Sequence, residues 1–568
     1  MLVKNERVLA FLDRKKLTAV GGAKFYDNYE VGNFHWANNE RVVINMVKRK
    51  GWLEKYVSYG ELYAVNFDGS QGELIYGYQA GEQQLGSRIK KKQSTEGWAD
   101  IIDVLPEDNK HILISSTPMS NNGERLPEVY KLDIYSGIIR KKIAVSPVPF
   151  AKFLTDTSGE LRAVVGTNRE DEEQLYIRKN NDWQLIGNDI VGSSIYPISI
   201  SASGKYLYSI DEKNQDLRGI FRLNLEDLSY KSIFTDSKVS ISNVEMTPDG
   251  RSAYAVKLDA GYPSYVILNK KIEEAKVYKD LIASFPYSEL TITSKTKDGN
   301  FYTVLVSSDI DPGKIYLFDK AQNKLQLLFK YRPNVKTSEL VQVEPIEFKA
   351  SDGQKINGFF TAGKSTKKGQ IAPVVVLVHG GPHGIRDDWS FSSKVQYLAL
   401  NGYSVLQVNY RGSGGYGYNF ESAGYRAWGS TTQQDIYDGY QWLVKQKKAT
   451  ANNVCIMGAS FGAYSAIQSV TLYPDTYKCA IANAGIYDLE LMFDKGDIRR
   501  RDAGVSYLKK VLGTDKEQLK SMSPVNYVDR IKVPLLLAHG EEDDRAPFEH
   551  VKRLSDALKE SNKPYEWF

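Results

Sequence analysis

Cysteine is scarce in this sequence: Cys455 and Cys479 are the only two among 568 residues. Two cysteines cannot build the framework of several disulfides that stabilises small secreted domains. Each lies within an apolar run, which is typical of a thiol packed into a core. The sequence therefore predicts two buried free thiols, a pattern that fits a reducing compartment.

Long apolar segments and a strong charge imbalance are also lacking. No stretch approaches the ~18 apolar residues of a membrane span, and the first residues show no secretion-signal pattern. Lys and Arg number 74 against 69 Asp and Glu, a net charge of +5, and the basic clusters are short. We therefore expect no membrane or nucleic acid partner. Cytoplasm and periplasm are both left open, as is the oligomeric state.

Turn signals recur at a nearly constant interval in the first part of the chain. Four of them are separated by 45, 46 and 49 residues: Ser158-Gly159, Ser203-Gly204, Asp249-Gly250 and Asp298-Gly299. Each is followed by two short strand-like runs, the repeat that a β-propeller blade needs. A β-sandwich with accidental spacing is the weaker alternative. The spacing predicts an all-β propeller of about six to seven blades over residues 1–340.

The opening residues resemble the end of the last blade. RVLAFLDRKKLTAV at 7–20 parallels IYLFDKAQNKLQLLF at 315–329, which reads as an outer hairpin. We therefore expect the first blade to be incomplete and more sequence to lie upstream.

Buried strands alternate with amphipathic helices after residue 341. A helix around 431–446 places Ile436, Tyr440, Leu443 and Val444 on one face. Strands separated by helices predict a mostly parallel sheet with helices on both faces. Residues 341–568 are thus predicted to form an α/β-hydrolase domain.

A serine motif follows one of these strands and opens the next helix. Gly458-Ala459-Ser460-Phe461-Gly462 is G-x-S-x-G in the strand–turn–helix context of a catalytic serine. The glycines permit a tight turn that exposes the Ser460 hydroxyl at a helix N-terminus. A phosphate-binding or packing turn is the alternative. Ser460 is therefore the candidate nucleophile.

A glycine-rich loop, His379-Gly380-Gly381-Pro382-His383-Gly384, follows an earlier strand. In hydrolases of this type, two backbone N–H groups stabilise the oxyanion, one from the residue after the nucleophile and one from such a loop. Phe461 and Gly381 are the candidate donors. Because no carboxylate or cysteine cluster accompanies His379 and His383, we expect structural roles for both and no metal or other cofactor.

A carboxylate in the loop after a late strand is where the acid of a serine triad belongs. Asp543, in His539-Gly540-Glu541-Glu542-Asp543-Asp544-Arg545, is the first candidate and Asp544 the alternative. The acid would orient a histidine and stabilise its cation. Arg545 is a candidate for substrate binding, with an ion pair inside the loop as the equal alternative.

Taken together, HGGPHG at 379–384, NYRGSGGYG at 409–417, GASFGAY and HGEEDDRAP resemble the prolyl oligopeptidase family of serine peptidases, above all its acylaminoacyl-peptidase-like branch. The resemblance implies a propeller capping an α/β-hydrolase domain and cleavage of short peptides. Residue by residue it supports Ser460 as nucleophile, Asp543 as triad acid, and Phe461 and Gly381 as oxyanion donors. Arg411 in the second motif is a further candidate for substrate binding.

The triad histidine does not have an obvious counterpart. In such hydrolases it follows the acid, yet His550 is the only histidine after Asp543 and opens a helix. The family places this residue after a strand that here begins at 565. We therefore expect the base to lie beyond residue 568 and the 568-residue chain to be nearly inactive.

Two other functions compete with a serine peptidase. A carboxylesterase would use the same triad. The large propeller argues for a peptidase instead, because it would exclude folded proteins and admit short peptides. A non-catalytic binding propeller is the other alternative. Glu172 and Glu173 could bind a substrate amino group, but an exposed blade-edge turn is the better interpretation.

Overall fold

The computed structural model describes residues 2–3, 6–49, 56–81, 92, 94–119, 125–364 and 370–568. The chain divides into two compact units. The first comprises residues 1–209, 223–230 and 501–503, and the second 210–222, 231–500 and 504–568.

Small sheets follow one another along the first 330 residues. Two two-stranded ladders come first: β1 Leu2–Val3 with β2 Glu6–Arg7, and β3 Leu9–Leu12 with β4 Ala19–Ala23. Four four-stranded sheets follow: β5 Tyr29–Trp36, β6 Arg41–Arg49, β7 Tyr56–Asn66 and β8 Glu73–Tyr76; β9 Gly97–Asp103, β10 His111–Pro118, β11 Glu128–Asp133 and β12 Ile139–Val145; β13 Lys152–Thr155, β14 Leu161–Thr167, β15 Glu173–Lys179 and β16 Asp182–Ile186; β17 Tyr196–Ile200, β18 Tyr206–Asp211, β19 Gly219–Asn224 and β20 Tyr230–Phe234.

Two further small sheets complete the series. One has three strands, β21 Ile241–Met246, β22 Ala253–Asp259 and β23 Pro263–Ile267; the other has four, β24 Glu289–Lys295, β25 Phe301–Ser308, β26 Asp311–Asp319 and β27 Lys324–Lys330. In each of these six sheets, strands adjacent in sequence are neighbours in the sheet. The structure thus contains a six-bladed β-propeller, which confirms the predicted class. The opening hairpin β3–β4 forms separately from the six blades.

Helix α1, Glu273–Ser284, was not anticipated from the sequence and lies between β23 and β24. It buries Ala275, Tyr278 and Leu281 against the strands of the last two blades. These positions recur every three residues, which is a helical period. The blade of β21–β23 therefore continues into a helix in place of a fourth strand.

The second half of the chain builds one large sheet of eight strands. Its spatial order is β28 Val343–Lys349, β29 Lys355–Thr361, β31 Ser404–Asn409, β30 Val374–Val378, β32 Val454–Ala459, β33 Cys479–Asn483, β34 Leu535–Ala538 and β35 Tyr565–Trp567. Strand β29 is antiparallel to both its neighbours. The other six strands that follow it in the sheet, β30 to β35, are parallel to one another. This is the predicted α/β-hydrolase sheet. We propose the domain boundary between β27 and β28, where the sheet type changes.

Helices connect these strands: α2 Ser393–Leu400, α3 Tyr418–Ser422, α4 Thr431–Lys445, α5 Phe461–Leu472, α6 Leu491–Asp494, α7 Asp502–Leu512, α8 Lys516–Ser521 and α9 Glu549–Glu560, with 3-10 turns at Thr337–Glu339, Ile498–Arg500 and Pro524–Arg530. Helix α4 buries Ile436, Tyr440 and Leu443, and Val444 is partly buried beside them. Within the described ranges, no helix combines the length and apolarity needed to cross a bilayer.

The prediction of two free thiols is wrong. Cys455 and Cys479 are register partners on the adjacent parallel strands β32 and β33, with their Cα atoms 4.8 Å apart, and a disulfide joins them. Sequence reasoning treated the two apolar runs separately and did not place them side by side. The inference of a reducing compartment loses its support with the free thiols.

The first unit contains a buried arginine that links two blades. Arg41 on β6 is 1% exposed and donates from Nε to the Ile134 carbonyl at 2.8 Å and from Nη1 to Asn66 Oδ1 at 2.9 Å. A buried acceptor that loses its donor costs roughly 1–3 kcal/mol. The guanidinium therefore secures the contact between the blades of β5–β8 and β9–β12.

We expect Arg41→Met to lower the free energy of unfolding by about 2–4 kcal/mol, because it leaves several buried acceptors unpaired. Arg49→Met, at an exposed position on the same strand, is the matched control and should change it by less than about 0.5 kcal/mol. Urea unfolding of both variants measures the difference. Equal stability of the two variants would contradict the role of Arg41.

Candidate active site

Ser460 lies on a strained turn between β32 and α5. Its backbone has φ 56° and ψ −121°, a left-handed conformation that costs a non-glycine residue of the order of 1–3 kcal/mol. Its N–H donates to the Asn483 carbonyl at 3.0 Å, which ties the turn to the end of β33. The side chain is half-buried at the N-terminus of α5, whose residues Phe461–Thr471 are all buried. The turn therefore presents a hydroxyl from a rigid base.

The glycines on either side of Ser460 are required by close backbone contacts. A Cβ on Gly458 would lie 2.4 Å from the backbone of Gly462, and one on Gly462 would lie 2.2 Å from the Val378 carbonyl oxygen. Any side chain at either position would force the strand and the helix apart. Glycine at both positions of the G-x-S-x-G motif is thus required for α5 to begin in direct backbone contact with the ends of β30 and β32.

The loop after β30 passes next to this turn. A Cβ on Gly380 would lie 3.7 Å from Ser460 Cβ and 3.4 Å from the Ala459 carbonyl oxygen. Among the residues that the structure describes, the N–H groups of Phe461 and Gly381 have no hydrogen-bond acceptor. The first belongs to the residue after Ser460 and the second to the residue after Gly380, and free N–H groups near a serine are what an oxyanion hole requires.

His379 and His383 are both held by protein groups. The His379 ring bonds to the Gly380 carbonyl at 2.7 Å and to Ser413 Oγ at 3.0 Å, and Trp428 Nε1–H donates to His383 Nε2 at 3.0 Å. Burial lowers the pKa of each histidine to about 4, so both are neutral at pH 7. Across the described parts of the chain, no three His, Cys, Asp or Glu side chains gather as a metal site would require.

Arg411 is engaged within the protein. Its Nε donates to Asp435 Oδ2 at 2.9 Å and its Nη2 to Asp435 Oδ1 at 2.6 Å, and a further ion pair joins Nη1 to Asp352. Asp435 is completely buried, and its bidentate pair raises the pKa of Arg411. These bonds anchor the loop after β31 to Asp435. We propose this role for Arg411 in place of the predicted substrate contact.

The loop after β34 carries Asp543. Its Oδ1 accepts the N–H groups of Arg545 at 2.8 Å and Ala546 at 2.9 Å, while Oδ2 accepts no hydrogen bond from any described residue. The neighbouring Asp544 is exposed and pairs with Arg500 at 2.8 Å. Asp543 therefore has a fixed carboxylate with one oxygen free of hydrogen bonds from described residues, whereas the Asp544 carboxylate forms an ion pair on the surface. The Arg545 Nε pairs with Asp497 at 2.7 Å, and its side chain is 63% exposed.

Two further histidines lie near this loop. His539 Nε2 bonds to the Ala546 carbonyl at 2.7 Å. His550, 1% exposed on α9, accepts the N–H groups of Tyr487 and Asp488 at its Nδ1, each at 3.4 Å. Burial lowers the pKa of His550 to about 4. Each ring thus bonds to the backbone through one nitrogen, while the other nitrogens, His539 Nδ1 and His550 Nε2, are buried without a hydrogen-bond partner among the described residues.

Glu172 closes a turn in the first unit. Its N–H donates to Asn168 Oδ1 at 2.9 Å, and its own carboxylate accepts from Asn168 Nδ2 at 3.1 Å. The side chain is exposed. These contacts favour the blade-edge turn over a substrate-binding role for Glu172, and Glu173 is the first residue of strand β15.

A cavity of about 270 Å³ adjoins the glycine-rich loop on the β30 side. Its lining includes His379, Gly380, Ala459 and Asp387. Burial raises the pKa of the Asp387 carboxyl to about 7, and its buried Oδ2 has no hydrogen-bond partner. Sequence reasoning missed Asp387, although the Asp387-Asp388 pair directly after the loop was a visible signal.

Ser460, Gly381, Phe461 and Asp543 all follow parallel strands of the sheet, at its carboxyl edge. Together with the strained turn, this arrangement defines the class of α/β-hydrolases with a serine elbow. Comparison with known proteins narrows the class. Residues 389–568 match the prolyl oligopeptidase family, so the chain contains a domain of that family.

Curated relatives agree with the family match. Dipeptidyl aminopeptidase BIII of Pseudoxanthomonas mexicana is 26% identical over 496 residues, which cover 82% of this chain and 68% of that protein. The acylamino-acid-releasing enzyme of Mus musculus is 31% identical over 235 residues, 40% of this chain and 30% of that enzyme. The chain thus spans about two thirds of the first relative and less than a third of the second.

A solved structure supports the fold. The Pyrococcus horikoshii acylaminoacyl peptidase superposes with a TM-score of 0.62 over 94% of this chain and 90% of that chain, at 18% identity. At this identity the likeness concerns the fold alone, and it agrees with the architecture of a propeller followed by an α/β-hydrolase domain.

We expect Asp387→Asn to stabilise the protein at pH 8 more than at pH 5. A carboxyl whose folded pKa is about 7, against about 4 when unfolded, binds more protons in the folded state between these values. The wild type therefore loses stability as pH rises from about 4 to 7, by on the order of 3–4 kcal/mol. The neutral amide removes this loss. Melting temperatures at the two pH values measure it.

Asp388→Asn is the control for this experiment, since Asp388 is exposed next to Asp387. It should leave the pH dependence of the melting temperature unchanged. A pH dependence in Asp387→Asn equal to that of the wild type would contradict the burial of an unpaired carboxyl.

Proposed function

We propose that this protein is a serine peptidase that hydrolyses short peptides through an acyl-enzyme. Ser460 attacks the carbonyl carbon of the substrate. The N–H groups of Phe461 and Gly381 bind the oxyanion, and the Asp543 carboxylate orients the histidine that carries the proton. The observation that carries the proposal is the strained Ser460 turn beside two N–H groups without acceptors.

The family match and the named relatives supply the substrate class. The two curated relatives are a dipeptidyl aminopeptidase and an acylamino-acid-releasing enzyme, and both names describe action at the amino end of peptides. The propeller that accompanies the hydrolase domain favours peptides over simple esters. No metal or organic cofactor enters the proposed reaction.

We further propose that none of the four histidines in the second unit is the base. A base must donate from one ring nitrogen to the acid and accept the serine proton on the other. His379 and His539 bond to carbonyl groups, His383 accepts from Trp428, and His550 accepts two backbone N–H groups. Replacing any of the four should therefore lower kcat far less than the roughly 10⁶-fold loss that follows removal of a catalytic base.

We expect Ser460→Ala to abolish hydrolysis of aminoacyl amides by the protein, because it removes the attacking oxygen. Loss of the nucleophile in a serine protease lowers kcat about 10⁶-fold. Measuring kcat/KM on a peptide amide and on its matched ester separates peptidase from esterase. Full activity of Ser460→Ala, or turnover of the ester alone, would contradict the proposal.

We expect Asp543→Asn to lower kcat about 10⁴-fold, because the amide no longer holds the histidine in the required tautomer. Asp544→Asn is the matched neighbour and should retain kcat within about two-fold, since its ion pair with Arg500 is exposed. Steady-state kinetics on one peptide amide compares them. A larger loss in Asp544→Asn would assign the acid to Asp544.

A further inference from the structure

The disulfide closes the chain into a ring around the serine turn. Cys455 is the second residue of β32 and Cys479 is the first residue of β33. The bond between them spans 24 residues of sequence. The enclosed segment contains the rest of β32, the Ser460 turn and helix α5. The element that presents the candidate nucleophile is therefore part of one covalent ring.

The two ends of this strand pair are held by different bonds. At the amino ends the disulfide joins Cys455 to Cys479. At the carboxyl ends Ala459 pairs with Asn483, whose carbonyl accepts the Ser460 N–H at 3.0 Å. Four residues of extended chain span only about 13 Å, so a cross-link at one end opposes sliding of the strands at the other. A strained turn persists only while its surroundings leave it no alternative, and the disulfide is one of these restraints.

The disulfide lies on the more accessible face of the two strands. Along β32 and β33 buried residues alternate with partly exposed ones. Both cysteines belong to the partly exposed set, together with Met457 and Ile481. Thiol–disulfide exchange requires access of a thiolate to a disulfide sulfur. A small dithiol can therefore reach this bond in the folded protein.

We propose that the Cys455–Cys479 disulfide is a redox-sensitive cross-link that keeps Ser460 in its reactive conformation, and that reduction by a dithiol releases the turn and lowers activity. The effect on activity rests on the proposed function. One thiolate of the dithiol forms a mixed disulfide with one cysteine and releases the other, and its second thiolate then displaces the first cysteine. Two electrons and two protons pass to the cysteines, and the dithiol leaves as a disulfide.

This cross-link makes the activity depend on the compartment. Disulfides persist in oxidising compartments and are reduced where cellular dithiols are maintained. The oxidised, active form of the protein then belongs to an oxidising compartment, and exposure to a reducing one lowers its turnover.

The test uses the fact that the chain has no other cysteines, so every thiol found after reduction belongs to this pair. The wild type is equilibrated at different ratios of dithiothreitol to its oxidised form, and its thiols are counted by alkylation and mass spectrometry. We expect two thiols to appear in one two-electron step. Along the same curve kcat on a peptide amide should fall about ten-fold, as the strained turn relaxes in most molecules.

Reduction should also lower the melting temperature by about 5 °C, because the ring no longer restricts the unfolded chain. Hydrogen exchange of amides in residues 455–483 should become faster, while exchange in β13–β16 of the first unit stays the same. The double variant Cys455→Ala/Cys479→Ala should match the reduced wild type in all three measurements and should not respond to dithiothreitol.

Two free thiols in protein purified without reductant would overturn the inference. So would complete reduction that leaves kcat and the exchange of residues 455–483 unchanged. A lower melting temperature with unchanged kcat would also overturn it, since the disulfide would then only stabilise the fold. The wild-type measurements decide the matter even if the double variant fails to fold.

Hydrogen exchange separates this failure from that of the proposed function, because it needs no substrate. If the wild type shows no Ser460-dependent turnover, the peptidase proposal fails, and exchange still reports whether the cross-link restrains the turn. If turnover depends on Ser460 but not on the redox state, only the role of the disulfide fails.

Discussion

The close approach of α5 to the ends of β30 and β32 is the constraint on which the site depends. At Gly458 and Gly462 the backbones are so close that a Cβ would overlap another main-chain atom at 2.2–2.4 Å. This approach forces Ser460 into a left-handed conformation and places its hydroxyl at the start of a helix that is buried from Phe461 to Thr471. Strain is kept because the surrounding sheet and helix leave the turn no alternative.

Polar contacts around the turn fix the loops that it needs. The Asp435 carboxylate holds Arg411 and with it the loop after β31. Ser413 and Tyr410 on that loop hold the His379 ring, which in turn holds the Gly380 carbonyl. The Arg411–Asp435 ion pair is thus connected, through the loop after β31 and the side chains of Ser413, Tyr410 and His379, to the Gly380 carbonyl. Such a buried network gives orientation more reliably than it gives stability.

The features that could be predicted from the sequence are those that depend on residues close to one another in the chain. The turn spacing predicts the blades, and the G-x-S-x-G and H-G-G motifs carry their own backbone requirements. The disulfide, the Arg411–Asp435 pair and the open carboxyl of Asp387 depend on contacts between strands and helices distant in sequence. No pattern in the chain states which strand neighbours which, so these features became visible only in three dimensions. Helix α1 had a local signal, and the regularity of the repeat concealed it.

A crystal structure of the protein with a peptide boronic acid tests the central claim most directly, because boron forms a tetrahedral adduct with an activated serine. The account predicts a bond from boron to Ser460 Oγ, with one boronate oxygen within about 3 Å of the backbone nitrogens of both Phe461 and Gly381. An adduct on another side chain, or an oxygen that points away from both nitrogens, would contradict it.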